Sequence, residues 1–174
     1  MKYLVKFVVV TFFVLLCTSS FAEQKIVFID MTYVLNNSKA GKGAQDYLKK
    51  AISDNQKKFA DTEKKLKNEE ADLIGKKNDM TKEEYSKYSD ALRAKVIEYQ
   101  KQRKEVFDKI TKQRADARKK LLDKVTPILE NYVNENNISL VLDKKSLIIS
   151  TPTTDITKII VEKLNTELPS LSLK

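Results

Sequence analysis

Apolar residues recur at every seventh position along two stretches of this chain. Ile52, Phe59, Leu66 and Leu73 form one series, and Tyr85, Leu92, Tyr99 and Val106 form the other. A strict seven-residue recurrence draws one seam along a helix and favours left-handed supercoiling against a partner. The positions that would widen each stripe are mostly Lys, Glu, Gln, Asn or Ser, with Ile74, Val96 and Ile110 as exceptions. Each helix therefore has one narrow face to bury. Between residues 44 and 126 there is no proline, and the only glycine is Gly75. The two series are separated by GKKNDMTKEEY, where Gly75 and Asn78-Asp79 supply a break and Thr81-x-x-Glu84 has the spacing of a capping box. The pattern predicts an antiparallel helical hairpin with its tip near residues 75 to 81. Its first arm, from about 44 to 74, would be ~45 Å long at ~1.5 Å per residue.

The rest of the chain alternates differently. KIVFID, ISLVLD and SLIIST are short runs rich in Ile, Val and Leu, and only Lys144-Lys145 separates the last two, as in a β-hairpin. Pro127 removes a backbone donor and should kink the returning helix if that helix continues, and Asn136-Asn137 should end it. After Pro152, Thr153 or Thr154 can cap a final helix, DITKIIVEKLN, with Ile156, Ile159, Ile160 and Leu164 on one face. The expected fold is α+β: a small body made of residues 23–43 and 127–174, with the hairpin of residues 44–126 inserted between its segments. A body of 69 residues with three short strands buries little apolar surface. It is expected to share its core with other copies of itself.

The first residues set the compartment. Lys2 and Lys6 flank and enter the run FVVVTFFVLL, which gives way to Ser20-Phe21-Ala22, a small-x-small cleavage site. Residues 1–22 read as a secretory signal peptide with cleavage after Ala22, so the chain is expected to be secreted. The run is short for a membrane anchor. Cys17 as an acylated lipoprotein cysteine is disfavoured by Leu16 before it, where a small side chain is wanted. Cleavage after Ala22 leaves no cysteine, so packing rather than disulfides must supply stability.

Charge sharpens the reading of the hairpin. The chain from Glu23 onward has 31 basic and 24 acidic residues; residues 44–126 hold 23 basic against 16 acidic, and the remainder is balanced at 8 against 8. The whole excess lies on the hairpin. Such an arm attracts acidic polypeptides, anionic lipid or lipopolysaccharide, or nucleic acid, over about a Debye length of ~8 Å at physiological salt. Secretion argues against nucleic acid. Pairs such as Lys57-Lys58, Lys64-Lys65 and Lys119-Lys120 also have the plainer reading of a solvated helix face.

Candidate chemistry is sparse. The sequence has no His, and cleavage after Ala22 would leave no Cys, so in the mature chain the usual zinc ligand sets and His-based or Cys-based nucleophilic catalysis would have nothing to work with. Glu69-Glu70-x-Asp72 and Glu83-Glu84 sit among lysines and read as solvation and side-chain pairing. KAGKGAQDYLKK suggests a phosphate loop. However, a Walker loop ending at Gly41-Lys42 would need a glycine where Asn36 stands and a hydroxyl where Gly43 stands. That stretch reads instead as a joint at which Gly41 and Gly43 aim the first arm. Tyr85, Tyr88 and Tyr99 read as hairpin packing before they read as a stacking surface. No enzyme, cofactor or metal site is expected.

Two blocks resemble a known family. IVFIDMTYVLNNSKAGKGAQDYL is similar to the opening strand, short V-L-N helical turn, Gly-Lys bend and arm start of the Skp/OmpH-like periplasmic chaperones. ISLVLDKKSLIISTPTTDITKIIVEKLN is similar to that family's closing hairpin, Asp-Ile-Thr cap and last helix. The resemblance implies a homotrimer with a β-rich trimerisation body from which helical hairpins project as tentacles around a cavity. It implies an ATP-independent periplasmic holdase for unfolded outer-membrane β-barrel proteins, while lipopolysaccharide or an anionic membrane surface is a further candidate partner on the charge of the arm. On that reading client contacts are diffuse and fall on Lys57, Lys58, Lys64, Lys65, Lys76, Lys77, Arg93, Arg103, Lys104 and Arg114. The alternative is a structural envelope coiled-coil protein that binds lipopolysaccharide or a folded envelope partner.

Overall fold

A computed structural model describes residues 24–173. The expected signal peptide, Cys17 and the cleavage site lie outside the described residues. Strand β1 (Lys25–Ile29) leads into helix α1 (Met31–Asn37), followed by α2 (Lys39–Gly75), a 3-10 turn at Lys77–Asp79, and α3 (Lys82–Glu135). Strand β2 (Ile138–Asp143), 3-10 turns at Lys144–Ser146 and Pro152–Thr154, and helix α4 (Thr157–Glu167) complete the chain.

The strands pair in parallel, with Ile26 opposite Leu140 and Ile29 opposite Asp143. The two ends of the hairpin thus close on one sheet, and α2 and α3 form its arm. The core gathers Val27 and Ile29 of β1, Val34 and Leu35 of α1, Ala40 at the start of α2, Leu121, Val125 and Ile128 of α3, Ile138 of β2, and Ile156, Ile160 and Leu164 at or within α4. Every layer of the body contributes to it, so no part of the body holds a core of its own.

Caps define the junctions. Asp30 accepts from the Tyr33 N–H at 2.8 Å and starts α1, while its own N–H donates to the Thr157 hydroxyl at 2.8 Å. Ser38 ends one helix and begins the next: its N–H reaches the Val34 carbonyl at 3.2 Å, and its Oγ accepts from the Gly41 N–H at 3.1 Å. Asn165 of α4 accepts from the Lys39 N–H at 2.6 Å. These bonds satisfy donors that a helix start leaves open and tie the root of the arm to the last helix.

Gly41 and Gly43 do not form a loop. Both lie inside α2, and no described glycine has a positive φ. Gly41 instead permits a close approach, since a Cβ there would lie 1.8 Å from the Leu35 carbonyl oxygen, whereas a Cβ at Gly43 would meet nothing within 4 Å.

Three further expectations are corrected. SLIIST is not a strand: after β2 the chain takes a 3-10 turn and runs irregularly to Pro152, leaving Ile148 99% and Ile149 89% exposed. It pairs with neither outer edge of the sheet: the far edge of β2 has no strand partner among the described residues, and the far edge of β1 is bridged at Phe28 by Asp155. Thr153 and Thr154 form a 3-10 turn rather than the cap of α4; the Asp155 carboxylate accepts from the Thr157 N–H at 2.9 Å. Ile159 is 40% exposed, while Ile156, Ile160 and Leu164, spaced by fours, are buried. The end of α3 is as expected: the helix continues through Pro127 and stops at Asn136, followed by Asn137 at φ 50°.

Candidate functional site

The arm is held by a seam that never closes fully. From residue 49 to residue 112 no side chain is buried, although both heptad series are half-buried along their length. Between the apolar layers of α2 stand the half-buried Asn55 and Thr62 and the exposed Glu69. Glu69 meets Lys95 across the hairpin at 2.6 Å, and the other ion pairs of the arm run within a single helix. Exposed pairs of this kind contribute about 0–1 kcal/mol each. At mid-arm, Phe59 and Tyr99 meet edge to face with ring centroids 6.0 Å apart, and the Tyr99 hydroxyl donates to the Phe59 carbonyl at 3.4 Å. At the tip, Thr81 and Glu84 form the reciprocal capping box that starts α3. Bonds from the Thr81 backbone and hydroxyl hold the Glu84 carboxyl below its ordinary value of 4.5.

The Phe59–Tyr99 contact divides the arm by charge as well as by length. On its body side, residues 44–59 and 100–126 carry 14 basic and 6 acidic side chains; on its tip side, residues 60–99 carry 9 and 10. The whole positive excess therefore sits at the base. Sequence order hides this, because the base is assembled from two segments forty residues apart that only the folded hairpin brings side by side.

The predicted positions separate accordingly. Lys64, Lys65, Lys76, Lys77 and Arg93 fall in the balanced distal half, where Lys77 lies over the Tyr85 ring at 5.6 Å and Arg93 pairs with Asp90 at 2.9 Å. Lys57, Lys58, Arg103, Lys104 and Arg114 fall in the basic half. Lys104 is matched locally by Asp108 at 2.9 Å, whose hydrogen bond and charge raise its pKa. Arg103 lies 5.6 Å from the Tyr99 ring centroid. Tyr85 and Tyr99 pack in the hairpin as expected, but Tyr88 is 55% exposed and does not.

Three open grooves follow one side of the hairpin. The distal one, about 550 Å³, shares Arg103 with a middle one of about 370 Å³, which shares Ile52 and Arg114 with a basal one of about 440 Å³. Sequence reasoning missed Phe107, which lines the middle groove and is 70% exposed, and Arg118 and Lys49, which line the basal one. The signal was available in Arg alone, which lumping Arg with Lys concealed. Among the described residues no group of three or more metal-ligating side chains converges, and no helix is long and apolar enough to cross a membrane. What the arrangement offers is an adaptable, partly apolar, basic surface on a long lever.

Comparison with known proteins agrees with this architecture. Residues 25–164 match the family model described as outer membrane protein (OmpH-like). The chain is 26% identical over 172 residues to a Skp-like protein of Pseudomonas aeruginosa, covering 95% of this chain and 98% of that one. It superposes with a TM-score of 0.79 on the crystal structure of a Caulobacter crescentus protein described as an OmpH-like outer membrane chaperone. That match is at 18% identity, covering 87% of this chain and 89% of the other, so the likeness shows the fold.

Proposed function

We propose, from the premise that this chain belongs to the OmpH-like family, that it is an ATP-independent periplasmic holdase that binds unfolded outer-membrane β-barrel proteins and keeps them from aggregating before membrane assembly. The observation that carries the reading is the arm itself: a hairpin with no buried side chain from residue 49 to residue 112, whose basic excess is concentrated at its base. An acidic, partly apolar chain is drawn to it by the field and then held by many weak contacts on a surface that can repack. The arm, taken as residues 44–126, is the binding element, and the body is the assembly element. Lipopolysaccharide and anionic membrane surfaces are the second class of ligand that the same base would attract.

The proposed assembly is a homotrimer, the number following the family resemblance, and exposed apolar surface on the body favours self-association. Parallel sheets are ordinarily covered on both faces, yet Ile26 and Leu140, directly opposite each other, are 44% and 47% exposed. With Ile148 and Ile149 nearby in sequence, this is apolar surface suited to other copies of the chain. Ile148→Asp with Ile149→Asp should lower the oligomeric mass in sedimentation while leaving the helical content intact. Unchanged mass would count against assembly through this segment.

The functional test dilutes a denatured outer-membrane β-barrel protein into buffer with the chaperone and without nucleotide, following light scattering. Suppression should weaken as salt rises from about 0.01 M to about 1 M, because the screening length falls from about 30 Å to about 3 Å. Failure to suppress scattering at any salt would refute the holdase reading. Suppression indifferent to salt would refute its electrostatic part.

A further inference from the structure

We infer that the base of the arm holds a strand-reading groove, in which Arg103, Phe107, Ile110, Arg114 and Arg118 receive alternate side chains of one extended polypeptide segment, acidic at the ends and aromatic or aliphatic between. The inference rests on the holdase reading and narrows it from a diffuse basic arm to one groove.

Composition gives the first argument. Of the 33 basic residues only four are arginine, namely Arg93, Arg103, Arg114 and Arg118, and all four line this one series of grooves. Lysine serves for a solvated surface, being a compact, strongly hydrated charge. The guanidinium presents a planar fork that takes a carboxylate bidentately and stacks on rings. Arg103 already lies over the Tyr99 ring.

Charge gives the second. No carboxylate lines the middle or basal groove, and neither Arg114 nor Arg118 is in an ion pair with a described residue. Between the arginines stands Phe107, 70% exposed, beside the half-buried Ile110. Guanidinium groups around an uncovered ring complement an anionic, aromatic ligand.

Spacing gives the third. Positions 103, 107, 110, 114 and 118 advance by three or four residues, which is about 4.5–6 Å per step along a helix. Side chains on one face of an extended strand repeat about every 6.6 Å. From 103 to 118 the helix advances about 22 Å, and a strand of about nine residues advances about 26 Å. The difference is small enough for the long arginine side chains at the two ends to span, so such a segment can offer one side chain of a single face to each of the five positions. The alternation that this reads is the same alternation that makes a segment a half-buried strand.

The test uses the full chain from Glu23 onward and two labelled peptides of equal composition. One carries Asp, Tyr, Leu, Asp and Asp at alternate positions separated by Ser, and the other has its acidic residues contiguous. Fluorescence anisotropy should show the alternating peptide bound about tenfold more tightly, a difference of about 1.4 kcal/mol. The combined variant Arg103→Lys, Arg114→Lys, Arg118→Lys keeps net charge, and all three positions are exposed, so the fold is preserved. It should abolish the preference while leaving the salt dependence of binding unchanged, and Phe107→Ser should reduce the preference. Equal binding of the two peptides by the unmodified chain overturns the groove. So does a Lys variant that keeps the preference, or one that loses only binding to phosphatidylglycerol vesicles, which would make the groove a lipid site. Scattering suppression by the unmodified chain is read separately, so the groove can fail while the holdase reading stands.

Discussion

Alanine at Gly41 and alanine at Gly43 should change stability in opposite directions, although the two residues are neighbours but one in the same helix. At Gly41 an added Cβ would lie 1.8 Å from the Leu35 carbonyl oxygen and 2.9 Å from the Ser38 Oγ. Carbon and oxygen need about 3.3 Å. The obstructing atom is backbone, so α1 and α2 must part by roughly the difference. Overpacking of that kind costs about 1–3 kcal/mol, and disturbing the Ser38 cap adds about 1 kcal/mol. The higher helix propensity of alanine returns about 1 kcal/mol, leaving a net loss of about 1–3 kcal/mol. At Gly43 nothing lies within 4 Å, so only the propensity gain of about 0.5–1 kcal/mol remains. Alanine restricts the unfolded chain similarly at both positions, so that effect cancels in the comparison. The variants should differ by about 3 kcal/mol, or about 6–12 °C in Tm for a chain of this size. Thermal unfolding by circular dichroism at matched protein concentration measures it. A Gly41→Ala protein as stable as Gly43→Ala would refute the close-approach argument.

Neutralising Lys57, Lys58, Lys109 and Lys112 to Gln at the base should flatten the salt dependence of client binding, whereas the same change at Lys64, Lys65, Lys76 and Lys77 should leave it nearly intact; equal effects would sink the charge division. Phe59→Ala should cost about 2 kcal/mol, roughly half the value for a fully buried Phe, and should speed amide exchange at mid-arm while sparing the body around Val34 and Ile160. The Glu84 carboxyl should titrate below 4.5 by carbon-detected NMR. Because its folded value is depressed, its contribution to capping is present above the ordinary glutamate range and is lost as pH falls through the folded value. A titration at or above 4.5, or no change on Thr81→Ala, would contradict the capping box.

Much of the arm was legible because its determinants are local. Ile52, Phe59, Leu66 and Leu73 announce their seam by spacing alone, Thr81 and Glu84 announce a helix start across a single turn, and Asn136-Asn137 announces an end. The functional surface was legible only in part. Arg103 and Arg114 were found as basic residues, but Arg118 and Phe107 were not, since a lone Phe between Val106 and Asp108 looks like seam until its neighbours are known. Ile159 failed for a related reason: helical periodicity marks a stripe, and which edge of the stripe faces the core depends on what packs there.

By itself the sequence determined that this chain makes a long two-helix arm with a narrow seam, a capped tip, an overall basic charge and a small α+β body joined from both ends. Those properties follow from periodicity, caps and composition, which act within a few residues. Only the tertiary structure decided that β2 runs parallel to β1 and leaves Ile148 and Ile149 without a strand partner, that Gly41 is a point of contact rather than a joint, and that the positive charge gathers at the base of the arm. Each of these depends on residues distant in sequence becoming neighbours, and a close approach or a summed field exists only once they do.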